Sequence, residues 1–230
     1  MKKSRKISLA ILAIALPVGT AIFALRPREP AYQGRTLRSW LKEFDDGYES
    51  ADTNAIAAIQ AIGTNGLPVL LAELEYEEPL WREKYREIAD KLPIVKPRLQ
   101  PPWNRDLWAA YAFHALGAEG KPAISALSGL LFQGRSAIPA AFALAGIGQD
   151  ALPELANALS HTNARIRMAV VEGLGGWRGN ARTVVPLLIK TLADESQLVR
   201  REAAQALGEL ERFNKSYSHK RQTNRGHPGA

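Results

Sequence analysis

The sequence contains no cysteine and few aromatic residues, and both features limit what it can be. The absence of cysteine excludes disulfide scaffolds, thiolate zinc sites, iron–sulfur clusters and cysteine nucleophiles. Aromatic residues make up 7% of the chain, and alanine and leucine dominate the hydrophobic 46%, which favours close helix packing over a β-sandwich. The 230 residues are sufficient for one domain or one short repeat array with a real core.

The common motifs of catalytic and metal sites are also missing. The four histidines include no pair at the spacing of a zinc-binding helix, and no Gly-x-Ser-x-Gly elbow or phosphate-binding Gly-Lys-Ser/Thr loop is present. His114 is expected to pack within a helix, and His161 to cap or to be solvated in a loop. The acidic run Glu73–Glu78 is interpreted as a solvated rim at a helix end. We therefore predict a protein that is not an enzyme, with no catalytic, cofactor or metal site.

The net charge of +7 is concentrated at the two ends of the chain. Residues 1–26 carry five basic and no acidic side chains, and residues 211–230 carry five basic and one acidic. The stretch 27–210 has 20 basic and 22 acidic side chains, so its net charge is −2. A broad basic face that follows nucleic-acid phosphates is therefore not expected.

The amino-terminal segment has the pattern of a membrane signal-anchor. A basic cluster at residues 2–6 precedes the uncharged run Ile7–Leu25, which as a helix would span roughly 28 Å. The excess of positive charge before the run predicts a cytoplasmic amino terminus and an extracytoplasmic body. The alternative is a signal peptide that is cleaved after Ala21. A lipid-modified anchor is excluded because no cysteine follows the segment.

The body of the chain repeats itself. Leu152-Pro153-Glu154-Leu155 aligns with Val185-Pro186-Leu187-Leu188 at an offset of 33 residues, and Arg167 aligns with Arg200. A second pattern recurs at Gly63/Pro68, Gly117/Pro122 and Gly148/Pro153, where proline follows glycine by five residues. Such a glycine can close one helix, and proline is tolerated in the first turn of the next.

These residues resemble a known family. The segment 185–210 resembles the HEAT repeat close to its consensus, and it is also similar to the HEAT-like repeats of phycobilisome lyases. The resemblance implies an all-α fold, a right-handed α-solenoid of antiparallel helix pairs. We expect a signal-anchor at 1–26, a linker and capping helix at 27–53, the array at 54–213 and a disordered basic tail at 214–230. A proline-rich interruption is expected at 93–103, and the glycine-rich run 173–179 is interpreted as a loose repeat junction.

Three groups of residues have expected roles, the first from its own sequence pattern and the other two from the resemblance. Thr36 is the expected cap of a short helix whose buried stripe is Leu37, Trp40, Leu41 and Phe44, similar to a segment in membrane-anchored bacterial HEAT-repeat proteins. Arg167 and Arg200 are expected to support the turns between paired helices, with an aspartate such as Asp194. In the family the second helix of each pair lines the concave face, which makes the following residues candidate partner contacts: Arg165, Met168, Glu172, Arg201, Glu202, Gln205 and Glu209.

The leading hypothesis is a membrane-anchored, non-enzymatic interaction scaffold that binds unidentified protein partners outside the cytoplasm. One alternative is an accessory role in chromophore attachment, like that of the phycobilisome lyases, which rests on resemblance alone. A second is a nucleic-acid-binding solenoid, which would depend on the basic ends.

The predicted topology can be tested by protease accessibility of a carboxyl-terminally tagged protein in spheroplasts. We expect added protease to digest the body in intact spheroplasts, because the charge asymmetry orients the body outwards. The mass of the retained fragment reports whether the anchor is intact. Protection of the body until permeabilisation would contradict the orientation.

Overall fold

The computed structural model describes residues 29–77, 81, 84, 104–134 and 136–225, with side chains of the last helix described to residue 213. The chain divides into two compact units, Met1–Pro30 and Ala31–Ala230. The predicted signal-anchor at 1–26 and the proline-rich interruption at 93–103 lie outside the described residues. The fold below is that of the second unit.

The second unit is almost entirely helical. It begins with a two-stranded antiparallel hairpin, β1 (Ala31–Tyr32) and β2 (Arg35–Thr36). The helices are α1 (Leu37–Leu41), α2 (Thr53–Ile62), α3 (Leu67–Leu74), α4 (Arg105–Leu116), α5 (Ile124–Gln133), α6 (Ala137–Ile147), α7 (Leu152–Ala158), α8 (Ala164–Gly175), α9 (Ala181–Thr191) and α10 (Gln197–Arg225). The predicted all-α class is confirmed, apart from this small hairpin.

Short 3-10 turns occupy the predicted glycine–proline junctions. They are Gly63–Gly66, Gly117–Ala123 and Gln149–Ala151, and each precedes or includes the junction proline. The first glycine of each junction has a positive φ, 57° at Gly63, 55° at Gly117 and 89° at Gly148. Glycine is favoured there because other residues rarely adopt this backbone conformation.

Two layers of helices stack along the chain. We call α4, α6, α8 and α10 the B helices, because each packs directly on the next in that order, and α2 packs on α4. We call α3, α5, α7 and α9 the A helices; α3, α5 and α9 pack chiefly on the B helix that follows them. This arrangement is a stack of helix pairs, the solenoid expected from the repeated sequence.

The short helix before the array has the predicted buried stripe. Leu37, Trp40, Leu41 and Phe44 are all buried, and α1 packs against α2 and α4. Thr36 stands at the amino-terminal cap position of α1, although its side chain makes no cap hydrogen bond. The segment therefore covers the beginning of the array.

The glycine-rich run 173–179 is a repeat junction only in its second part, from Gly176 onward, which partly corrects the prediction. Helix α8 continues through Gly173 and Gly175. A Cβ atom at Gly173 would lie 2.8 Å from the backbone carbon and oxygen of Ala141 on α6, and one at Gly175 would lie 3.2 Å from Cβ of Ala206 on α10. These glycines allow neighbouring B helices to approach closely, a role that helix propensity alone does not reveal.

The predicted disordered tail is also corrected. Helix α10 extends to Arg225, so residues 214–225 are helical, and only 226–230 lie outside the described residues. The physical reason is in the sequence, since neither glycine nor proline occurs between Gly208 and Gly226. A polar composition without helix breakers is compatible with continued helix.

The acidic run at 73–78 does not form a uniformly solvated rim. Glu73 is only 3% exposed, and its two carboxylate oxygens are 2.5 Å from Nε of Arg38 and Nε of Arg105. A buried carboxylate needs such partners to offset its lost hydration. Glu73 therefore joins the capping segment to α4 across α3.

Among the described residues, the continuous helical stretch Thr53–Leu74 is apolar and long enough to cross a membrane, with a mean hydropathy of 1.6. It comprises α2, a 3-10 turn and α3, and the backbone breaks at Gly63. Ala55, Ile59 and Leu70 within it are buried in the core. We interpret the stretch as a pair of core helices.

The close approach of α6 and α8 can be tested with Gly173→Ala. We expect the free energy of unfolding to fall by about 1–3 kcal/mol, because the added methyl group meets rigid backbone at Ala141. Chemical denaturation followed by tryptophan fluorescence measures this.

The matched control is Gly208→Ala in α10, where a Cβ would meet nothing within 4 Å. Alanine should stabilise that helix by about 0.5–1 kcal/mol. Equal effects of the two substitutions would contradict the packing argument.

Candidate functional site

The candidate contacts lie on the outward side of two B helices. Arg165, Met168 and Glu172 follow the i, i+3, i+7 spacing of one face of α8, and Arg201, Gln205 and Glu209 follow i, i+4, i+8 on α10. Arg165, Arg201 and Gln205 are exposed, whereas Met168, Glu172, Glu202 and Glu209 are partly buried. We call the solvent side of the B helices, with these residues, the B-helix face.

Arg167 fixes the loops from which α8 and α10 start. It is buried, and its Nε and Nη2 atoms each donate a hydrogen bond of 2.8 Å to the carboxylate of Asp194. Its Nη1 donates to the carbonyl oxygens of His161 and Thr162 at 2.8 and 3.0 Å. This hydrogen bonding lowers the pKa of Asp194, with the burial of the carboxyl acting in the opposite direction. One arginine therefore joins the loops of two successive repeats.

Arg200 repeats part of this geometry one repeat later. Its Nη1 donates to the carbonyl oxygens of Asp194 and Glu195 at 2.7 and 3.0 Å. These carbonyls stand 33 residues after those bound by Arg167. The structural role predicted for the two arginines and Asp194 is therefore confirmed.

A pocket of about 480 Å³ opens on the B-helix face. Its lining combines aromatic rings with side chains of both charges. The lining residues are Asp46, Gly47, Tyr48, Glu49, Tyr111, Phe142, Gly175, Gly176, Arg178, Glu209, Arg212 and Phe213. Residues from before the array and from its last helix therefore meet in one cavity.

Arg178 contacts two other residues of the pocket lining. The loop that carries it is anchored by Trp177, whose side chain is 2% exposed. The Arg178 guanidinium lies 3.1 Å from a carboxylate oxygen of Glu49 and 4.5 Å from the centroid of the Phe213 ring. The segment Asp46–Glu49, which we call the strap, is thereby tied to the third and fourth B helices.

Aromatic rings form the floor of the pocket and its surroundings. Tyr111 and Phe142 meet edge to face, with ring centroids 6.4 Å apart, and Tyr48 packs on His114 at 5.5 Å. Burial raises the pKa of the Tyr48 and Tyr111 hydroxyls, although Arg178 opposes this. Burial and, secondarily, Arg178 lower the pKa of His114 to about 4, so this histidine is neutral at physiological pH.

Acidic side chains border the pocket on α8 and α10. The pKa of Glu172 is raised, first by burial and then by the negative charges of Glu202 and Glu209. Gln205 donates a hydrogen bond of 3.1 Å to Glu209. The negative charge of Glu172 also raises the pKa of Tyr111, which indicates that the acidic group and the aromatic floor are neighbours.

The structure brings most of the predicted contacts together and adds residues that the sequence argument missed. Glu172 lies near Glu202 and Glu209, and Gln205 is hydrogen-bonded to Glu209. Arg165 lies about two turns from Glu172 on α8, with Met168 between them, and Arg201 lies about two turns from Glu209 on α10. Tyr111 and Phe142 were not predicted, although each stands six residues before a junction glycine, Gly117 or Gly148. That shared offset could have placed them at the same level of adjacent helices. The strap and Arg178 carried no comparable signal.

The chemistry available in the pocket is that of binding. Carboxylates, guanidinium groups and aromatic rings can hold a ligand by ion pairs, hydrogen bonds and ring contacts. Within the described part of the chain, no group of three or more His, Asp or Glu side chains is arranged to hold a metal ion.

The comparison with known families agrees with the fold. A family model of HEAT repeats matches residues 135–208, which include α6 to most of the packed part of α10. This match agrees with the resemblance to HEAT repeats that the sequence predicted. No curated protein matches the chain. HEAT repeats generally mediate interactions between proteins.

The contribution of the Arg167 pair can be tested with Asp194→Asn. We expect the free energy of unfolding at neutral pH to fall by about 2–4 kcal/mol, because a buried guanidinium would lose its carboxylate. Denaturation of the full chain in neutral detergent measures this.

The same substitution should change the dependence of stability on pH. Because the pKa of Asp194 is lower in the folded state, its contribution is present above the unfolded pKa and is lost as the pH falls through the folded value. Asp194→Asn should therefore flatten the loss of stability below about pH 4. The control Glu195→Gln, at a side chain that is 82% exposed, should change stability by less than about 0.5 kcal/mol. Equal effects of the two variants would contradict the assignment.

Proposed function

We propose that this chain is a non-enzymatic scaffold, anchored in a membrane by residues 7–25, whose HEAT repeats bind a protein partner on the extracytoplasmic side. The array forms a right-handed superhelix in this proposal, and its B-helix face is the concave, partner-binding side. The match to HEAT repeats supports the general role, because such repeats generally mediate interactions between proteins. The charge pattern of residues 1–26 supports the anchor and its orientation.

The observation that carries the proposal is the composition of the B-helix face. Stacked helices with a regular apolar interior normally present solvated polar side chains outside. Here the outward side instead holds partly buried Met168, Tyr111 and Phe142 next to carboxylates and a pocket. Apolar, aromatic and charged groups in one continuous area are typical of protein interfaces.

Site-specific photocrosslinking in membranes tests this proposal. A photoreactive amino acid replaces Gln205 or Met168 on the B-helix face, and Glu154 or Lys190 on the A helices serves as the matched control. We expect protein adducts from the first pair of positions only, because the partner lies within reach of the B helices.

The adducts must also depend on the charges of the face. The combined variant Arg165→Glu, Arg201→Glu, Glu209→Arg should abolish them while the protein remains folded by circular dichroism. Adducts of equal yield from the A helices, or adducts unaffected by the charge reversal, would show that the B-helix face is not the interface.

A further inference from the structure

The last helix pair, α9 and α10, has an apolar outer surface. The outer surface of a terminal repeat is normally polar, because no further repeat covers it. Here the side chains of Ile189 and Leu192 on α9 are 55% and 40% exposed. Ala204 is exposed on the neighbouring α10, where Leu207 and Gly208 are only partly buried. We call the surface formed by these five residues the end face.

In the preceding helix pair, the equivalent side of α8 is covered by α10. Gly175 lies on this side, because a Cβ atom there would be 3.2 Å from Cβ of Ala206. Three residues in this part of α8 are buried: Val171, Leu174 and Gly175.

The residues 33 positions later in α10 are more exposed than these three. They are Ala204, Leu207 and Gly208, and a Cβ atom at Gly208 would meet nothing within 4 Å. The end face therefore continues the surface through which α8 packs on the next pair. What covers it should be another helix, as at the other contacts between successive B helices.

The two ends of the array indicate that this helix comes from a second copy of the chain. The beginning of the array is covered by α1, which packs against α2 and α4, so copies cannot stack end to beginning. Two end faces can still meet, and identical surfaces meet around a two-fold axis. Such a contact is complete after two copies.

The charges of α10 fit this pairing. Arg201, Ala204, Gly208 and Glu211 follow spacings of three and four residues along one side of the helix. If two α10 helices run antiparallel with residue 206 at the two-fold axis, Ala204 lies opposite Gly208 of the second copy. The same register places Arg201 opposite Glu211. A parallel arrangement would instead bring two Arg201 side chains together, and like charges repel.

We propose that two copies of this chain associate through their end faces, with the α10 helices antiparallel, to form a two-fold symmetric dimer. Small residues at 204 and 208 let the helices approach closely. Arg201 and Glu211 form one ion pair on each side of the axis, and Ile189 and Leu192 border the contact. This inference goes beyond the proposed function, because the end face meets the B-helix face only at Arg201.

The first test is sedimentation equilibrium of the full chain in a density-matched neutral detergent. We expect a dimer, and Ala204→Glu should weaken its association by about tenfold or more, because a carboxylate would lose hydration in the contact. The matched control Asn157→Glu adds the same charge at an exposed position of α7 and should change association by less than about twofold. Unfolding midpoints verify that both variants are folded.

The predicted ion pairs can be tested by exchanging their charges. Arg201→Glu should weaken the association by about fivefold or more, because both pairs become repulsive. The double variant Arg201→Glu, Glu211→Arg restores opposite charges and should bring the association back to within about twofold of the original.

Crosslinking in membranes tests the register, since the chain has no cysteine of its own. One copy carries Arg201→Cys and a differently tagged copy carries Glu211→Cys, which leaves the second ion pair intact. We expect a short bis-maleimide to join the two tags in an adduct of twice the chain mass. Copies that carry only Arg201→Cys should give no such adduct, because their cysteines lie far apart along antiparallel helices.

Three results would overturn the dimer: a monomer at all concentrations, an adduct between two Arg201→Cys copies, or equal effects of Ala204→Glu and Asn157→Glu. The last result would assign any association to another part of the chain. The proposed function is judged separately, because an adduct from Gln205 to a different protein does not have twice the chain mass. If Ala204→Glu abolishes the dimer and this adduct persists, partner binding does not require the dimer.

Discussion

The close approach of neighbouring B helices is the constraint on which the rest of the structure depends. Gly146 of α6 lies against the backbone of His114 on α4, and Gly173 of α8 lies against the backbone of Ala141 on α6. Larger side chains at these contacts would separate the helices, since close-packed interiors do not absorb added volume easily. The spacing of the helices in turn determines that Tyr111 and Phe142 touch and that a pocket forms beside them.

The charged groups of the array are used in two different ways. Arg167 is buried and Asp194 is largely buried, and together with the loop carbonyls this pair holds successive repeats in register. The carboxylates of Glu172, Glu202 and Glu209 on the B-helix face are only partly buried, and Glu209 accepts a hydrogen bond from Gln205. Buried polar groups must be satisfied within the fold, whereas those at a surface can be left for another molecule. The same few residue types therefore hold the repeats together inside the array and remain partly solvated on its surface.

The sequence predicts the helices and junctions well because their determinants are local. Glycine–proline spacing, amphipathic stripes and the 33-residue offset identify the helix pairs and the capping segment, and the repeated arginine identifies the loop contact. The errors come from tertiary packing. The sequence predicts a solvated Glu73, but in the fold its carboxylate is bound by Arg38 and Arg105 from distant segments. The sequence likewise predicts that Gly173 weakens its helix, but in the fold this glycine allows α6 to pack closely against α8. The strap and Arg178 were not predicted for the same reason. Their contacts in the pocket depend on tertiary packing and produce no periodic pattern in the sequence.

The contact between Glu49 and Arg178 gives the array an unusual connectivity. In an open repeat protein each unit touches its neighbours alone, so stability is close to a sum of nearest-neighbour contributions and the ends can unravel independently. Here Tyr48 and Glu49 join the segment before the first pair to α4, through His114, and to the loop after α8. The repeats between α4 and the loop after α8 therefore lie between two contacts of the same segment. They are therefore expected to unfold as a more cooperative unit than a linear stack of the same length.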